Sequence, residues 1–302
     1  MRTKPYGMKE GFLIGGGLVL AGLMLQLSIG PVDWDAFRWP VNGIVLAVFL
    51  ALVAIAFLLR KKVYGFQFIG TYKAAVPALV YAVVLTIIMG MTRQEENGTW
   101  LTNMLSFWPF VLIYVYMAVI LGLVVLCQLK SWAAANFSLS TFHFSLLPHL
   151  GLFLAMTSAT LGNADMQRLK MITVKGEPEW RALTSQQQIV EMPFAIELED
   201  FIMETYDDGM PRRFASDIQI VTKTGEHIQT TVEVNKPVEV DGWKIYQYGY
   251  DTQMGAMSKT SILELVSDPW LPLVYTGIYM MLAGAVCLFA FGKKKKLTID
   301  NG

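Results

Sequence analysis

Six runs of mainly apolar residues, each close to the length a bilayer requires, constrain this chain more than any other feature. An α-helix rises about 1.5 Å per residue, so about 17–25 apolar residues cross the hydrocarbon of a membrane. The runs are Gly11–Ile29, Gly43–Leu59, Ala74–Met91, Pro109–Leu129, His143–Leu161 and Leu271–Phe291. The third and fifth are the least apolar, because Pro77, Pro148 and scattered Ser and Thr interrupt them. Composition agrees: 16% of residues are charged, against about 25% in ordinary soluble domains. The expected architecture is a polytopic α-helical membrane protein with about six transmembrane helices. Residues 1–161 would hold five of them, and 270–302 the last helix with a basic tail.

Orientation follows from Lys and Arg. With the N-terminus inside, the inner segments hold Arg2, Lys4, Lys9, Arg60, Lys61, Lys62, Lys73, Lys130 and Lys293 to Lys296. The two short outer loops hold only Arg38 and Arg93. Such a bias reads as positive-inside, in a multi-pass protein of the cytoplasmic membrane with both termini cytoplasmic. Trp34, Trp39, Trp108 and Trp270 fall at the outer interface, and Tyr64, Tyr72 and Trp132 at the inner one, as aromatic belts require. The first run is too long for a signal peptide and no small-x-small site follows it, so it is expected to remain as a span.

Residues 162–269 differ in kind. Ten Lys and Arg against eighteen Asp and Glu give this segment a net charge of −8. Such a charge excludes nucleic acid and anionic lipid surfaces as electrostatic partners. Its local period is two: Ile218, Ile220 and Thr222 alternate with Asp217, Gln219 and Val221. The turn signal Thr224-Gly225-Glu226 follows, and then Ile228, Thr230 and Val232 alternate with Gln229, Thr231 and Glu233. Asp241-Gly242 marks another turn, before Trp243–Tyr250 and a β-branched stretch near Thr260–Val266. Earlier, Pro193–Tyr206 reads as a long strand with Phe194, Ile196 and Leu198 on one face. Together these predict an extracytoplasmic, periplasmic-side all-β domain, a small antiparallel sandwich or open barrel. Tyr246, Tyr248 and Tyr250 are expected to face a sandwich core with their hydroxyls at its rim.

The chemistry begins with absences. Cys127 and Cys287, the two cysteines, both fall in apolar runs. That leaves no CxxC pair, no haem-attachment CxxCH and no cysteine zinc site. No P-loop, dinucleotide fingerprint or nucleophile elbow appears. Gly15-Gly16-Gly17 reads as close helix packing. Among the three histidines, His227 falls in the outer domain, in a surface role. His143 opens the fifth run at its inner end, and His149 lies about 9 Å deeper at helical rise. An ionisable residue at that depth marks a functional site, set here beside Pro148, which frees a backbone carbonyl. Its bland alternative is a histidine bonded between helices. A six-residue spacing turns the two side chains about 120° apart, so they cannot clamp one ligand together.

Several short pieces, in order and at matching spacing, resemble one family. They are Pro148-His149-Leu150-Gly151-Leu152, Met192-Pro193-Phe194-Ala195-Ile196-Glu197-Leu198-Glu199-Asp200-Phe201, Val234-Asn235-Lys236-Pro237, Asp241-Gly242-Trp243 and Ser267-Asp268-Pro269-Trp270. This pattern is similar to that of the ResB/CcsB proteins of cytochrome c biogenesis, over about His149 to Phe291. The resemblance implies a membrane subunit that works with a CcsA-like partner to carry haem b across the membrane. The pair presents that haem for thioether attachment to CxxCH motifs of apocytochrome c. The partner's tryptophan-rich motif is absent here, so this chain would be an accessory, non-catalytic half of a synthase, with haem held transiently and shared. The family's intramembrane histidine maps onto His149 as a haem-iron ligand. His143 would be a weaker, entrance-side contact. Two departures stand out: the outer domain is short, and five spans precede it where three are usual. A membrane-anchored scaffold or sensor, whose outer domain binds a protein without haem, is the alternative reading.

Overall fold

The computed structural model describes residues 6–95, 98–137 and 146–291. It divides into two compact units, Met1–Ala164 with Trp270–Gly302, and Asp165–Pro269.

The first unit is helical, with α1 Met8–Ile29, α2 Val41–Leu59, α3 Tyr64–Ile69, α4 Tyr72–Met91, α5 Trp108–Ala134, α6 Leu147–Gly162 and α7 Leu271–Phe291. Among the described residues, five helices are long and apolar enough to cross a membrane: α1, α2, α4, the stretch ending in α5, and α7. The sixth expected span corresponds to α6, a shorter apolar helix. Its 16 described residues rise roughly 24 Å. The start of that run, with His143, lies outside the described residues.

Small residues and prolines set the helix contacts. Pro77 lies inside α4 and cannot donate to the carbonyl of Lys73, one turn earlier. That carbonyl lies against Gly11 of α1, where any Cβ would collide with it. Gly15 receives the ring of Tyr81, whose hydroxyl donates to the carbonyl of Phe12 at 3.0 Å. Of the glycine cluster, Gly15 and Gly16 therefore pack on Tyr81, while Gly17 faces open space. At the opposite end of α1, buried Gln26 accepts from the main-chain N–H of Trp108 at 3.2 Å. One of the orphan donors at the start of α5 is thus satisfied by another helix.

Helices α6 and α7 approach through a second set. A Cβ on Gly277 would meet the N and Cβ of Ala155, and one on Gly151 would meet the Gly277 carbonyl and Met280. Pro148 fills the space above Gly284. Gly151 and Ala155, four apart, form a small-xxx-small face of the kind that lets membrane helices touch backbone to backbone. Gly277→Leu should therefore force α6 and α7 apart at a cost of about 1–3 kcal/mol or more. A cysteine pair placed across this contact should crosslink in the parent and fail to do so in the leucine variant.

The second unit is a single eight-stranded antiparallel sheet in the order β5-β4-β3-β2-β1-β8-β7-β6. The strands are β1 Gln167–Val174, β2 Pro178–Leu183, β3 Ile189–Thr205, β4 Pro211–Thr222, β5 His227–Glu233, β6 Val238–Val240, β7 Trp243–Tyr250 and β8 Thr260–Ser267. Phe194, Ile196 and Leu198 of β3 join Ile218, Ile220, Ile245, Leu263 and Leu265 in one core. The alternation read from the sequence selects this face. Asp241 and Gly242 both take positive φ, 50° and 79°, and join the paired residues Val240 and Trp243. This is the mirror-image turn that a two-residue hairpin favours. The sheet bends over its own core: Ser216 on β4 donates to Gln247 on β7 at 2.6 Å and lies 2.8 Å from Ser261 on β8. Strands so far apart in the order can touch only if the sheet curls, which makes the unit an open barrel.

One expectation fails. The inward residues of β7 are Ile245 and Gln247, while Tyr248 on the opposite face is 55% exposed. Tyr246 and Tyr248 therefore line the outside of the barrel. Lys170 sits 3.9 Å over the ring of Tyr248. Tyr250 stacks between Phe201 and Phe214, at centroid distances of 4.9 and 5.2 Å. A register shift between Gln247 and Gly249 separates Tyr250 from the regular alternation.

Candidate functional site

The site grows from two features of α6. Pro148 and Gly151 face α7, as their contacts with Gly284 and Gly277 show. His149, about 100° round the helix from Pro148, turns toward α5. There its Nδ1 lies 3.2 Å from Nε2 of Gln128. Both side chains are half-buried. The Oε1 of Gln128 is buried and has no hydrogen-bond partner among the described residues.

That orphaned oxygen bears on what the histidine can do. With the Gln128 amide nitrogen toward the ring, Nδ1 accepts and the ring proton sits on Nε2. Turning the amide by half a rotation, a choice of assignment and not of position, places Oε1 against Nδ1. The oxygen then accepts the Nδ1 proton, which satisfies it and places the ring in the Nδ1–H tautomer. Iron-binding histidines take this arrangement, with the far ring nitrogen donating to an oxygen that fixes the tautomer and the ring plane. The residues present fit an axial ligand to haem iron. No cluster of three or more His, Cys, Asp or Glu that could hold a metal ion occurs among the described residues. Haem needs only axial ligands.

Close by on α5, Cys127 accepts from Nη1 of Arg60 at 2.6 Å, and the Arg60 guanidinium lies 3.9 Å over the ring of Phe57. The charge at the end of α2 is thus held by a thiol and a ring. Cys127 and Cys287 are both free. His143 lies outside the described residues, and His227 is an exposed residue at the start of β5. Sequence reasoning missed Gln128, although it is the one amide in the apolar run Pro109–Leu129. A polar side chain at such a position is the signal that marks a partner. A cavity of about 280 Å³ lies elsewhere in the helical unit, lined by Trp34, Met89, Phe110, Tyr114, Met156 and Asn163 among others. It includes no ionisable group of the histidine site.

Comparison with known proteins bears on the same half of the chain. Residues 143–265 match the ResB-like family. A cytochrome c biogenesis protein CcsB from Prochlorococcus marinus subsp. pastoris is 26% identical over 162 residues, which are 52% of this chain and 35% of that relative. The chain therefore matches only about a third of the relative's length. A solved structure of the cytochrome c heme lyase CcmF aligns with 95% of this chain and 47% of its own. Its TM-score is 0.39 at 13% identity, too low to establish a common fold. The matched segment contains His149 and nearly all of the barrel, so the similarity to the ResB-like family covers both.

Proposed function

We propose that this chain is a membrane subunit of a cytochrome c maturation complex, holding haem at His149 on its way to a CcsA-like partner. The observation that carries the reading is the pairing of His149 with Gln128, an amide able to hold the ring in the metal-binding tautomer, inside the ResB-like segment. Haem supplies the iron that a histidine can ligate and the vinyl groups that thioether attachment consumes. The chain's own residues bind and orient. His149 offers Nε2, Gln128 fixes the ring, and the α6–α7 glycine contact holds the helix that carries both Pro148 and His149. A second ligand to the iron would come from another helix or from the partner. The charge bias of the sequence places this site toward the cytoplasmic side, so haem entering from that leaflet passes His143 first. The barrel then lies outside, where apocytochrome c with its CxxCH motif is met. On this reading the chain catalyses nothing alone.

Purification of the chain with and without a CcsA-like partner, followed by absorption spectroscopy, tests the reading. The complex should carry the Soret and visible bands of haem b with histidine ligation. A complex that is intact and stoichiometric yet colourless would favour the scaffold role and end the haem assignment.

A further inference from the structure

The geometry points to the outer edge of β5 as a docking site for an extended, basic polypeptide segment, which pairs with it as a ninth strand of the barrel. This goes beyond haem handling and does not depend on it.

The sheet has two edges. One is β6, three residues long and followed at once by the tight turn at Asp241-Gly242. The other is β5, seven residues long, paired with β4 in unbroken register from Val221↔His227 to Ala215↔Glu233. Among the described residues no strand pairs with its far side. The pairing phase is set at the hairpin, where the N–H of Thr222 donates to the carbonyl of Glu226 at 3.0 Å. Main-chain groups alternate between the two sides of an antiparallel strand. Those of Glu226, Ile228, Thr230 and Val232 therefore point to β4, and those of His227, Gln229 and Thr231 point away. The Glu233 N–H is already used, donating to the Lys236 carbonyl. Three consecutive outward positions thus offer donors and acceptors in the spacing an added strand needs.

Proteins usually protect such an edge with Lys, Pro or a bulge. The strand His-Ile-Gln-Thr-Thr-Val-Glu has none of these. What flanks it is negative. Gln229 donates both of its amide contacts to Glu199, at 2.8 and 3.0 Å. Thr231 donates to Asp217 at 2.6 Å. These two carboxylates form no salt bridge among the described residues. The nearby cations are taken: Arg213 by Glu204 and Glu233, and Lys236 by Glu233. The Glu233 carboxyl is held below the usual carboxylate range, chiefly by its hydrogen bond from Arg213. The unit as a whole carries −8. An arriving strand would lay alternate side chains on the face that holds Glu199 and Asp217, where Lys or Arg is favoured and acidic residues are repelled. The same charge opposes pairing of this edge with a second copy of the chain.

The test uses the full chain in nanodiscs of zwitterionic lipid, with a short synthetic peptide alternating lysine and valine as the probe. Binding should slow hydrogen exchange at His227, Gln229 and Thr231 and weaken as salt is raised. Gln229→Pro removes an N–H that no β4 group uses, so the ladder stays whole. It should weaken the peptide about tenfold or more, while Gln229→Ala stays close to the parent. A matched pair of probe peptides keeps the test independent of folding of the variant. N-methylation of the amides on one side of the probe should abolish binding, and on the other side leave it intact. A glutamate–valine peptide should fail to bind. The proposal is overturned if both N-methylated series bind like the unmodified peptide, if the glutamate peptide binds equally well, or if protection at these amides reflects self-association of the chain.

Discussion

Replacing His149 with alanine should strip most of the haem from the purified complex, and added imidazole should restore part of it by filling the vacated ligand position. The expectation follows from one ring. His149 is the only histidine among the described residues of the helical unit, and with its Nδ1 engaged by Gln128 the proposed ligating atom is Nε2. Gln128 is a positioning residue, and its variants separate chemistry from packing. Gln128→Leu keeps the bulk but removes the acceptor, and should weaken haem binding about 10–100-fold, as loss of a supporting hydrogen bond does at metal sites. Its spectrum should shift toward a mixture of ligation states. Gln128→Glu keeps an oxygen for the Nδ1 proton and should restore a single spectrum. His227→Ala, on the exposed end of β5, should change neither haem content nor spectrum. Normal accumulation of His149→Ala with unchanged haem, spectrum and cytochrome c maturation would make the histidine a packing residue. A Gln128→Leu protein that keeps the parent spectrum would remove the glutamine from the site while leaving His149 in it.

What could be read in the sequence, and what could not, divides along a physical line. The apolar runs and the two-residue alternation are properties of neighbouring residues, so α1, α2, α4, α5 and α7 and the strands β3, β4, β5, β7 and β8 were legible. The hairpin at Asp241-Gly242 was legible for the same reason, since its positive φ angles belong to those residue types. The face of β7 was not. Three tyrosines outweigh Gln247 in any local measure of apolarity, yet the glutamine is the residue that points inward. Its partners, Ser216 and Ser261, stand 31 and 14 residues away, and nothing local announces them. The histidine site divides likewise. His149 stands out by its depth in an apolar run, but its partner is 21 residues earlier on another helix. Only the packing of α6 against α5 selects Gln128 over the other side chains of that helix.

The buried cluster that turned β7 over carries the largest expected effect on the barrel. Ser216 and Ser261 are fully buried, and Gln247 nearly so. The Gln247 Oε1 accepts from both hydroxyls, at 2.6 and 3.1 Å, while its Nε2 donates to the Gly249 carbonyl at 2.8 Å. Thr173 donates to the Ser261 carbonyl at 3.0 Å, which ties β1 to the same point. Gln247→Leu removes the shared acceptor and leaves buried hydroxyls competing for one another, at about 1–3 kcal/mol for each one unsatisfied. That is a large share of the roughly 5–15 kcal/mol that holds an ordinary domain together. Removing the whole cluster should cost less than removing its centre. In Ser216→Ala/Gln247→Leu/Ser261→Ala no hydroxyl is left to desolvate, and the core is simply apolar, a change that is often close to neutral. Hydrogen exchange at the β4 and β7 amides of the full chain, measured for single and triple variants, reads both effects. The single variant should open these strands markedly faster than the parent, and the triple variant should recover most of the loss. A triple variant that exchanges faster than Gln247→Leu alone would show that the three side chains act by filling space, and that the curl of the sheet does not depend on their hydrogen bonds.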